Sequence, residues 1–187
     1  KVEGRFEYLR FAPKYGVILI LLRSLLGLLF VLVSAMVNGQ SLHIAVASNF
    51  TNTIDEICDL YQAQGNLRPR LSFASSGKLF AQIANGAPYD IFLSADQDKP
   101  RRLKEMGNIV EGSTMTYAHG RLALWSWDPS LDLSNGEVLK QDSGFRISMA
   151  NPRLAPYGQA ANEALQHLGV DSASGHQLIT GENIAQA

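Results

Sequence analysis

The sequence has few of the residues that disulfides and metal sites require. Its single cysteine, Cys58, excludes an intramolecular disulfide and a cysteine-based metal site. The helical spacing of Cys58 with Ile54, Ile57 and Tyr61 predicts a core residue instead. The four histidines are scattered through separate segments, so their spacing predicts no metal site.

Basic residues are too few and too dispersed to form a nucleic-acid-binding surface. Outside residues 1–40, the 16 lysines and arginines fall to 11 and the 17 acidic residues fall to 15, which leaves a formal charge of −4. Arg101, Arg102 and Lys104 stand beside Glu105, a pattern typical of a solvated helix face. We therefore expect no nucleic-acid partner.

Residues 1–40 differ in kind from the rest of the chain. Basic residues precede an apolar run, Ser24 to Val37, and small residues then lead to a cleavage point before Gln40 or Ser41. This pattern predicts a secretory signal peptide. The alternative is an uncleaved membrane anchor, since residues 17–37 nearly reach the roughly 20 residues that span a bilayer. Arg23 counts against the anchor because an arginine at mid-bilayer is costly.

From Ser41 onward, short apolar strands alternate with helical segments, which predicts an α/β fold with helices on the faces of a sheet. The predicted strands are residues 42–47, 70–73, 91–94, 122–125, 147–150 and 177–180. The predicted helices are residues 53–64, 78–85, 100–106, 158–168 and a last helix that begins near Asn183.

A stretch rich in Gly, Ser and Thr, residues 111–120, predicts a boundary between two lobes, residues 41–117 and residues 118–187. Trp125 and Trp127 occupy alternate positions of a predicted strand, so we expect both rings to pack in the core or between the lobes. The chain stops at Ala187 where a helix has just begun. We therefore expect the second lobe to be incomplete, with the C-terminus truncated.

Short polar residues stand where two predicted strands of the first lobe end. Ser48 and Asn49 follow the strand 42–47, and Ser75, Ser76 and Gly77 follow the strand 70–73. A helix begins after each, and the first turn of a helix leaves backbone N–H groups without partners. Serine hydroxyls beside such amides form an anion site without a formal positive charge. The two junctions predict one shared ligand.

The second lobe has two junctions of its own. Pro156 suits the first turn of a helix, which leaves the amides of Tyr157 and Gly158 free to face a ligand. Asn183 and Ile184 open the last predicted helix, and Glu182 beside them is expected to cap rather than to catalyse.

Ser75-Ser76-Gly77-Lys78 also fits two enzyme motifs in part. The Ser-x-x-Lys spacing marks a nucleophile in penicillin-recognising enzymes, so a secreted serine hydrolase that uses Ser76 is the alternative function. No Lys-Thr-Gly or Ser-Asp-Asn accompanies it, and the glycine that a P-loop requires upstream is missing. Lys78 is interpreted as a solvated residue, and Asp90 and Asp96 as capping and turn residues.

Taken in order, these segments resemble the periplasmic molybdate-binding proteins of bacterial ABC importers. The resemblance runs from about Leu42 to Ala187. It rests on eight motifs: Ala47-Ser48-Asn49-Phe50-Thr51, Ser75-Ser76-Gly77-Lys78, Asn85-Gly86-Ala87-Pro88-Tyr89-Asp90, Leu93-Ser94-Ala95-Asp96, Thr116-Tyr117-Ala118, Asn151-Pro152, Ala155-Pro156-Tyr157-Gly158 and Gly181-Glu182-Asn183-Ile184.

The resemblance implies a two-lobed periplasmic-binding-protein fold, type II-like, that holds an oxyanion between its lobes with neutral donors. It places those roles on Ser48 (hydroxyl), Asn49 (amide), Ser76 (hydroxyl and amide), Tyr157 (amide) and Ile184 (amide). It also implies a monomer in the periplasm that carries molybdate or tungstate to a membrane permease, with no cofactor, no bound metal cation and no catalysis.

The residues favour a fully deprotonated anion independently of the resemblance. Such an anion offers only acceptors, whereas a protonated phosphate would need an acceptor in the site. No Asp or Glu stands within the serine junctions. Molybdate, tungstate or sulfate is therefore favoured over phosphate.

Overall fold

Short parallel strands alternate with helices through the part of the chain that the computed structural model describes, which is residues 41–141, 144–170 and 175–187. The elements are β1 (His43–Ala47), α1 (Thr51–Ala63), β2 (Arg70–Ala74), α2 (Ser76–Ala84), β3 (Ile91–Leu93), α3 (Asp98–Glu105), β4 (Arg146–Ala150), α4 (Pro156–His167) and β5 (Gln177–Gly181). Short 3-10 turns occupy Ser48–Phe50, Glu137–Lys140 and Ile184–Gln186. The predicted leader, residues 1–40, lies outside the described residues.

The first sheet has the strand order β2-β1-β3, and β1 pairs in parallel with both neighbours. Helix α1 covers one face because Ile54 and Cys58, four residues apart, both point at Ile44 and Val46 of β1. Burial raises the pKa of the Cys58 thiol, so the thiol stays uncharged in this core. Cys58 is thus the core residue that its spacing predicted.

Helix α2 contacts sheet residues that face the side opposite to α1. Leu79 is buried against Ala45 of β1 and Ala74 of β2. Two alanines beneath one leucine let the helix start close to the strand ends. Helix α2 begins two residues earlier than predicted, at Ser76, so that this serine lies within its first turn.

The second sheet consists of β4 and β5, which pair in parallel from Arg146 opposite Gln177 to Ala150 opposite Gly181. Its core contains Met149 of β4 and Leu165 of α4, packed with Val138, Leu139 and Val170. Gly158 of α4 lies so close to β4 that a Cβ there would overlap the Ala150 carbonyl. The N-terminus of α4 is therefore held directly at the end of β4.

Two expectations for residues 122–127 are wrong. Residues 122–125 form no strand, because no described strand pairs with their backbone. Trp125 and Trp127 are not core residues: they are 65% and 88% exposed, and their rings contact each other edge to face with 4.6 Å between the ring centroids. The last predicted helix is a 3-10 turn of three residues, Ile184–Gln186.

Contacts along the chain group residues 41–187 into one unit, so the lobe boundary at residues 117 and 118 stays a prediction. Within the described residues, none of the helices has both the length and the apolar composition needed to cross a bilayer.

Candidate functional site

The carboxyl ends of strands from both sheets meet at one cleft. In parallel α/β sheets this is the edge where ligands bind, because the helix N-termini that follow the strands point there. The cleft is small and partly open: about 200 Å³ of space lies between its walls, and this includes solvent-exposed space at its mouth. Its lining comprises Ala47, Ser48, Asn49, Ser75, Ser76, Ala95, Ala155, Pro156, Tyr157, Asn183 and Ile184.

The junction after β2 places Ser76 at the start of α2, with its side chain fully buried. Ser76 Oγ accepts a hydrogen bond of 2.9 Å from the Ala95 backbone amide, which follows β3. Since that bond occupies a lone pair of Oγ, the hydroxyl hydrogen stays available to donate to a ligand. The preceding Ser75 has a different task, because its Oγ accepts from the Lys78 amide at 3.4 Å and caps α2.

The junction after β1 forms the 3-10 turn Ser48–Phe50, which leads directly into α1. Thr51 Oγ1 donates to the Ser48 carbonyl at 2.9 Å and so closes this turn. The Ser48 carbonyl is thereby engaged, while the Ser48 hydroxyl and the Asn49 amide remain beside the cleft.

The junction after β4 begins α4 at Pro156, whose ring needs no hydrogen-bond acceptor at this position. The Tyr157 amide follows in the same unpaired first turn. The phenol oxygen of Tyr157 touches Gly120, where a Cβ would overlap it. The Tyr117 hydroxyl donates to the Ser94 carbonyl at 2.9 Å. Burial raises the pKa of Tyr117, and its electrostatic interaction with Tyr157 raises that pKa further.

The junction after β5 forms the turn Ile184–Gln186, which Asn183 caps. Asn183 Oδ1 accepts from the Ala185 amide at 3.0 Å, and Asn183 is only 8% exposed. This turn lies against the turn Ser48–Phe50 of the first sheet, so donors from the two sheets face each other across the cleft.

Two direct bonds join the two sheets beside the cleft. The Gly77 amide donates to the Leu154 carbonyl at 2.9 Å. Lys78 Nζ contacts Glu182 Oε1 at 2.9 Å, with both side chains partly exposed. Lys78 is an exposed residue of the first helical turn, as predicted, and its ammonium group also pairs with Glu182. The expectation that Glu182 caps is wrong, because Asn183 caps the following turn and the Glu182 carboxylate pairs with Lys78.

The lining of the cleft is uncharged within the described part of the chain. Its side chains are hydroxyls, carboxamides, a phenol and apolar groups, with no Asp, Glu, Lys, Arg or His among them. No group of three or more His, Cys, Asp or Glu side chains among the described residues is placed to hold a metal ion. The backbone amides of the lining can only donate, and its hydroxyls can donate to a ligand.

The surroundings of Ser76 do not resemble those of a serine nucleophile. A nucleophilic hydroxyl needs a general base within hydrogen-bond reach. The partner of Ser76 Oγ is a backbone amide, which donates, and Lys78 Nζ is engaged by Glu182. Asp96 has the local role expected, since it accepts from the Lys99 amide at 3.0 Å in the first turn of α3. Asp90 is structural in another way, because it accepts from the amide of His43 in β1 at 2.7 Å.

All five residues that the sequence singled out line this one cleft: Ser48, Asn49, Ser76, Tyr157 and Ile184. Sequence reasoning did not anticipate the Ala95 amide that orients Ser76 or the place of Asn183 in the lining. The polar segment Ser94-Ala95-Asp96 directly after β3 was the available signal for Ala95. Asn183, at the start of a turn, indicated only a cap.

The fold and cleft define a class: α/β proteins that bind a small ligand at strand ends between two parallel sheets. More particularly, the chain belongs to the family described as bacterial extracellular solute-binding protein, whose family model matches residues 42–187.

Named relatives and a solved structure agree with this membership. The chain is 38% identical over 156 residues to the molybdate-binding protein ModA of Azotobacter vinelandii, covering 83% of this chain and 62% of the relative. It is 43% identical over 143 residues to ModA of Rhodobacter capsulatus, covering 76% and 56%. The solved Azotobacter vinelandii periplasmic molybdate-binding protein superposes with a TM-score of 0.74 at 37% identity, covering 79% of this chain and 64% of that one.

The chain therefore spans less than two thirds of the length of these relatives. The structural match confirms the predicted α/β solute-binding fold over the part that is shared.

Proposed function

We propose that this protein captures molybdate, or the similar tungstate ion, in the periplasm and delivers it to the membrane permease of an ABC importer. The observation that carries the proposal is the convergence of uncharged donors from four strand ends on one small cleft. The names of the two ModA relatives and of the Azotobacter structure supply the ligand.

The proposed donors are the Ser48 hydroxyl, the Asn49 amide, the Ser76 hydroxyl and amide, and the amides of Tyr157 and Ile184. A doubly charged tetrahedral oxyanion offers only acceptor oxygens, so each donor makes a charge-assisted hydrogen bond. Phosphate near neutral pH still carries a proton, and that proton would face a donor. Burying such an unmatched polar contact costs about 1–3 kcal/mol.

Binding would couple to closure of the two sheets, since neither sheet alone holds all the donors. A ligand that contacts both sheets favours the closed arrangement over any open one. The segment from Tyr117 to Gly120 is the proposed hinge. One chain supplies the whole donor set, so the proposed protein acts as a monomer.

Isothermal titration calorimetry of the purified protein with molybdate, tungstate, sulfate and phosphate tests the proposal. We expect one site per chain and molybdate binding at least about 100-fold tighter than phosphate binding, which corresponds to about 2.7 kcal/mol. Equal affinity for phosphate and molybdate would overturn the donor-only account, and no binding of any of the four anions would overturn the proposed function.

The serine hydrolase alternative has its own readout. A serine-reactive phosphonate added to the protein is expected to leave its intact mass unchanged, because Ser76 has no base beside it. Stoichiometric labelling of Ser76 would contradict the solute-binding proposal.

A further inference from the structure

The side chain of Asn183 has a donor that the proposed ligand set does not use. Its Oδ1 accepts from the Ala185 amide at 3.0 Å, which fixes the orientation of the carboxamide. In the described part of the chain, no acceptor takes a hydrogen bond from Asn183 Nδ2. Asn183 therefore has a committed acceptor and an uncommitted donor.

The position of that donor follows from burial. Asn183 is 8% exposed, and every buried side-chain nitrogen or oxygen of the described residues has a partner. An Nδ2 without a partner must therefore reach accessible space, and the cleft is the space that Asn183 borders. Burying an amide donor without a partner is unfavourable, so this arrangement gains stability when an acceptor enters the cleft.

We infer that Asn183 Nδ2 donates to the bound oxyanion and that Asn183 helps to exclude protonated oxyanions. The inference rests on the proposed function. The carboxamide cannot turn its oxygen toward the ligand without giving up the Ala185 amide, so it presents only N–H groups to the cleft. A ligand that carries a proton finds no acceptor there, whereas a fully deprotonated dianion gains one more hydrogen bond.

Two substitutions separate ligand binding from capping. Asp and Ser are both good N-cap residues, so Asn183→Asp and Asn183→Ser keep an acceptor for the Ala185 amide. Both lose the Nδ2 donor. Serine keeps one hydroxyl hydrogen on a shorter side chain, whereas aspartate has no donor and adds a negative charge that can accept a proton. Asn151→Asp is the matched control: Asn151 Oδ1 accepts from the Arg153 amide at 2.9 Å after β4, and Asn151 does not line the cleft.

Calorimetry of the four proteins with molybdate and phosphate provides the test. We expect Asn183→Ser to weaken molybdate binding roughly 10-fold to 100-fold, the range for losing a hydrogen bond to a charged group, and Asn183→Asp to weaken it further. Asn183→Asp should also lower the preference for molybdate over phosphate, since its carboxylate accepts the phosphate proton. Asn151→Asp should match the wild type within about twofold, a difference small beside a charged hydrogen bond.

The failures are distinguishable. Molybdate binding by both Asn183 variants within about twofold of Asn151→Asp would show that Asn183 only caps its turn and would overturn this inference alone. Absence of molybdate binding by the wild type would instead overturn the proposed function. Thermal melts of all four proteins show that each is folded, and Asn183→Ser is the variant to use if the aspartate destabilises the turn.

Discussion

At the residue scale, adjacent side chains of the same type do different work. Ser75 and Ser76 are both almost fully buried, yet Ser75 caps α2 through the Lys78 amide and Ser76 is held by the Ala95 amide. The difference follows from position. Ser75 precedes the helix with extended backbone, and Ser76 lies within its first turn.

Ser76→Ala and Ser75→Ala should therefore change different quantities. Ser76→Ala removes a hydroxyl that we propose binds the ligand and leaves the Ala95 amide unpaired, so we expect molybdate affinity to fall at least about 10-fold. Ser75→Ala removes a cap, so we expect a loss of about 0.5–2 kcal/mol in unfolding free energy and little change in affinity.

Calorimetry and urea denaturation of the two variants measure both quantities. A larger loss of affinity in Ser75→Ala than in Ser76→Ala would contradict the roles that their hydrogen bonds indicate.

The local pattern predicted the strand-to-helix junctions to which the five proposed ligand residues belong, and the family resemblance then singled out those five. Ser48 and Ser76 follow apolar runs with strand spacing, and Tyr157 follows a proline at a helix start. The Ala95 amide was missed because it is a backbone group, and its side chain carries no signal. Asn183 gave the signal of a cap, and the same cap leaves its amide nitrogen free.

At the scale of single elements, one glycine explains why α4 approaches β4 so closely. Gly158 is buried in the first turn of the helix, where its missing side chain makes room for the Ala150 carbonyl. Alanine stabilises an exposed helix position by about 1 kcal/mol relative to glycine. Helix propensity therefore predicts that Gly158→Ala raises the stability of the protein, whereas packing predicts that it lowers it.

We expect Gly158→Ala to destabilise the protein by about 1–3 kcal/mol, because the added methyl overlaps backbone that cannot move aside cheaply. Urea denaturation checks the sign. Ala160→Gly, at an exposed position of the same helix, should cost only about 1 kcal/mol through propensity. A rise in stability on Gly158→Ala would show that α4 does not depend on this contact.

The elements could be predicted where both the local pattern and its partner were present. The bounds of the five strands from β1 to β5 were predicted within two residues. In the structure each of these strands pairs in parallel with a neighbour. Residues 122–125 have similar apolar residues, but a strand needs a second backbone for its hydrogen bonds. The alternation of apolar residues could not reveal that the described part of the chain supplies no partner strand for residues 122–125.

At the scale of the whole molecule, the two sheets are joined by bonds that flank the cleft. The Gly77 amide bonds to the Leu154 carbonyl, and a Cβ on Gly77 would come within 2.7 Å of that carbonyl oxygen. The pair of Lys78 and Glu182 is partly exposed, and such pairs contribute about 0–1 kcal/mol. The close backbone approach therefore matters more than the ion pair for the closed arrangement.

We expect Gly77→Ala to weaken molybdate binding at least about 10-fold, because the methyl holds α2 away from Leu154 and separates the donors. The stability of the ligand-free protein should change little, because the helix preference of alanine, about 1 kcal/mol, offsets part of the lost contact with Leu154. The comparison variant is Lys78→Met. It removes only the ion pair, so we expect it to weaken molybdate binding less than about fivefold.

Calorimetry gives the affinities, and thermal melts without ligand give the stabilities. Wild-type affinity in Gly77→Ala would contradict the proposal that this approach sets closure. The ion pair itself could not be predicted from sequence, because its two partners are 104 residues apart and no local pattern joins them.

A crystal structure of the protein grown with molybdate, with the anion located by the anomalous scattering of molybdenum, tests the central proposal most directly. The account predicts one strong anomalous peak in the cleft, with oxygens within hydrogen-bond distance of Ser48, Asn49, Ser76, Tyr157 and Ile184. A cleft without molybdenum at saturating molybdate, or a peak elsewhere on the protein, would contradict it.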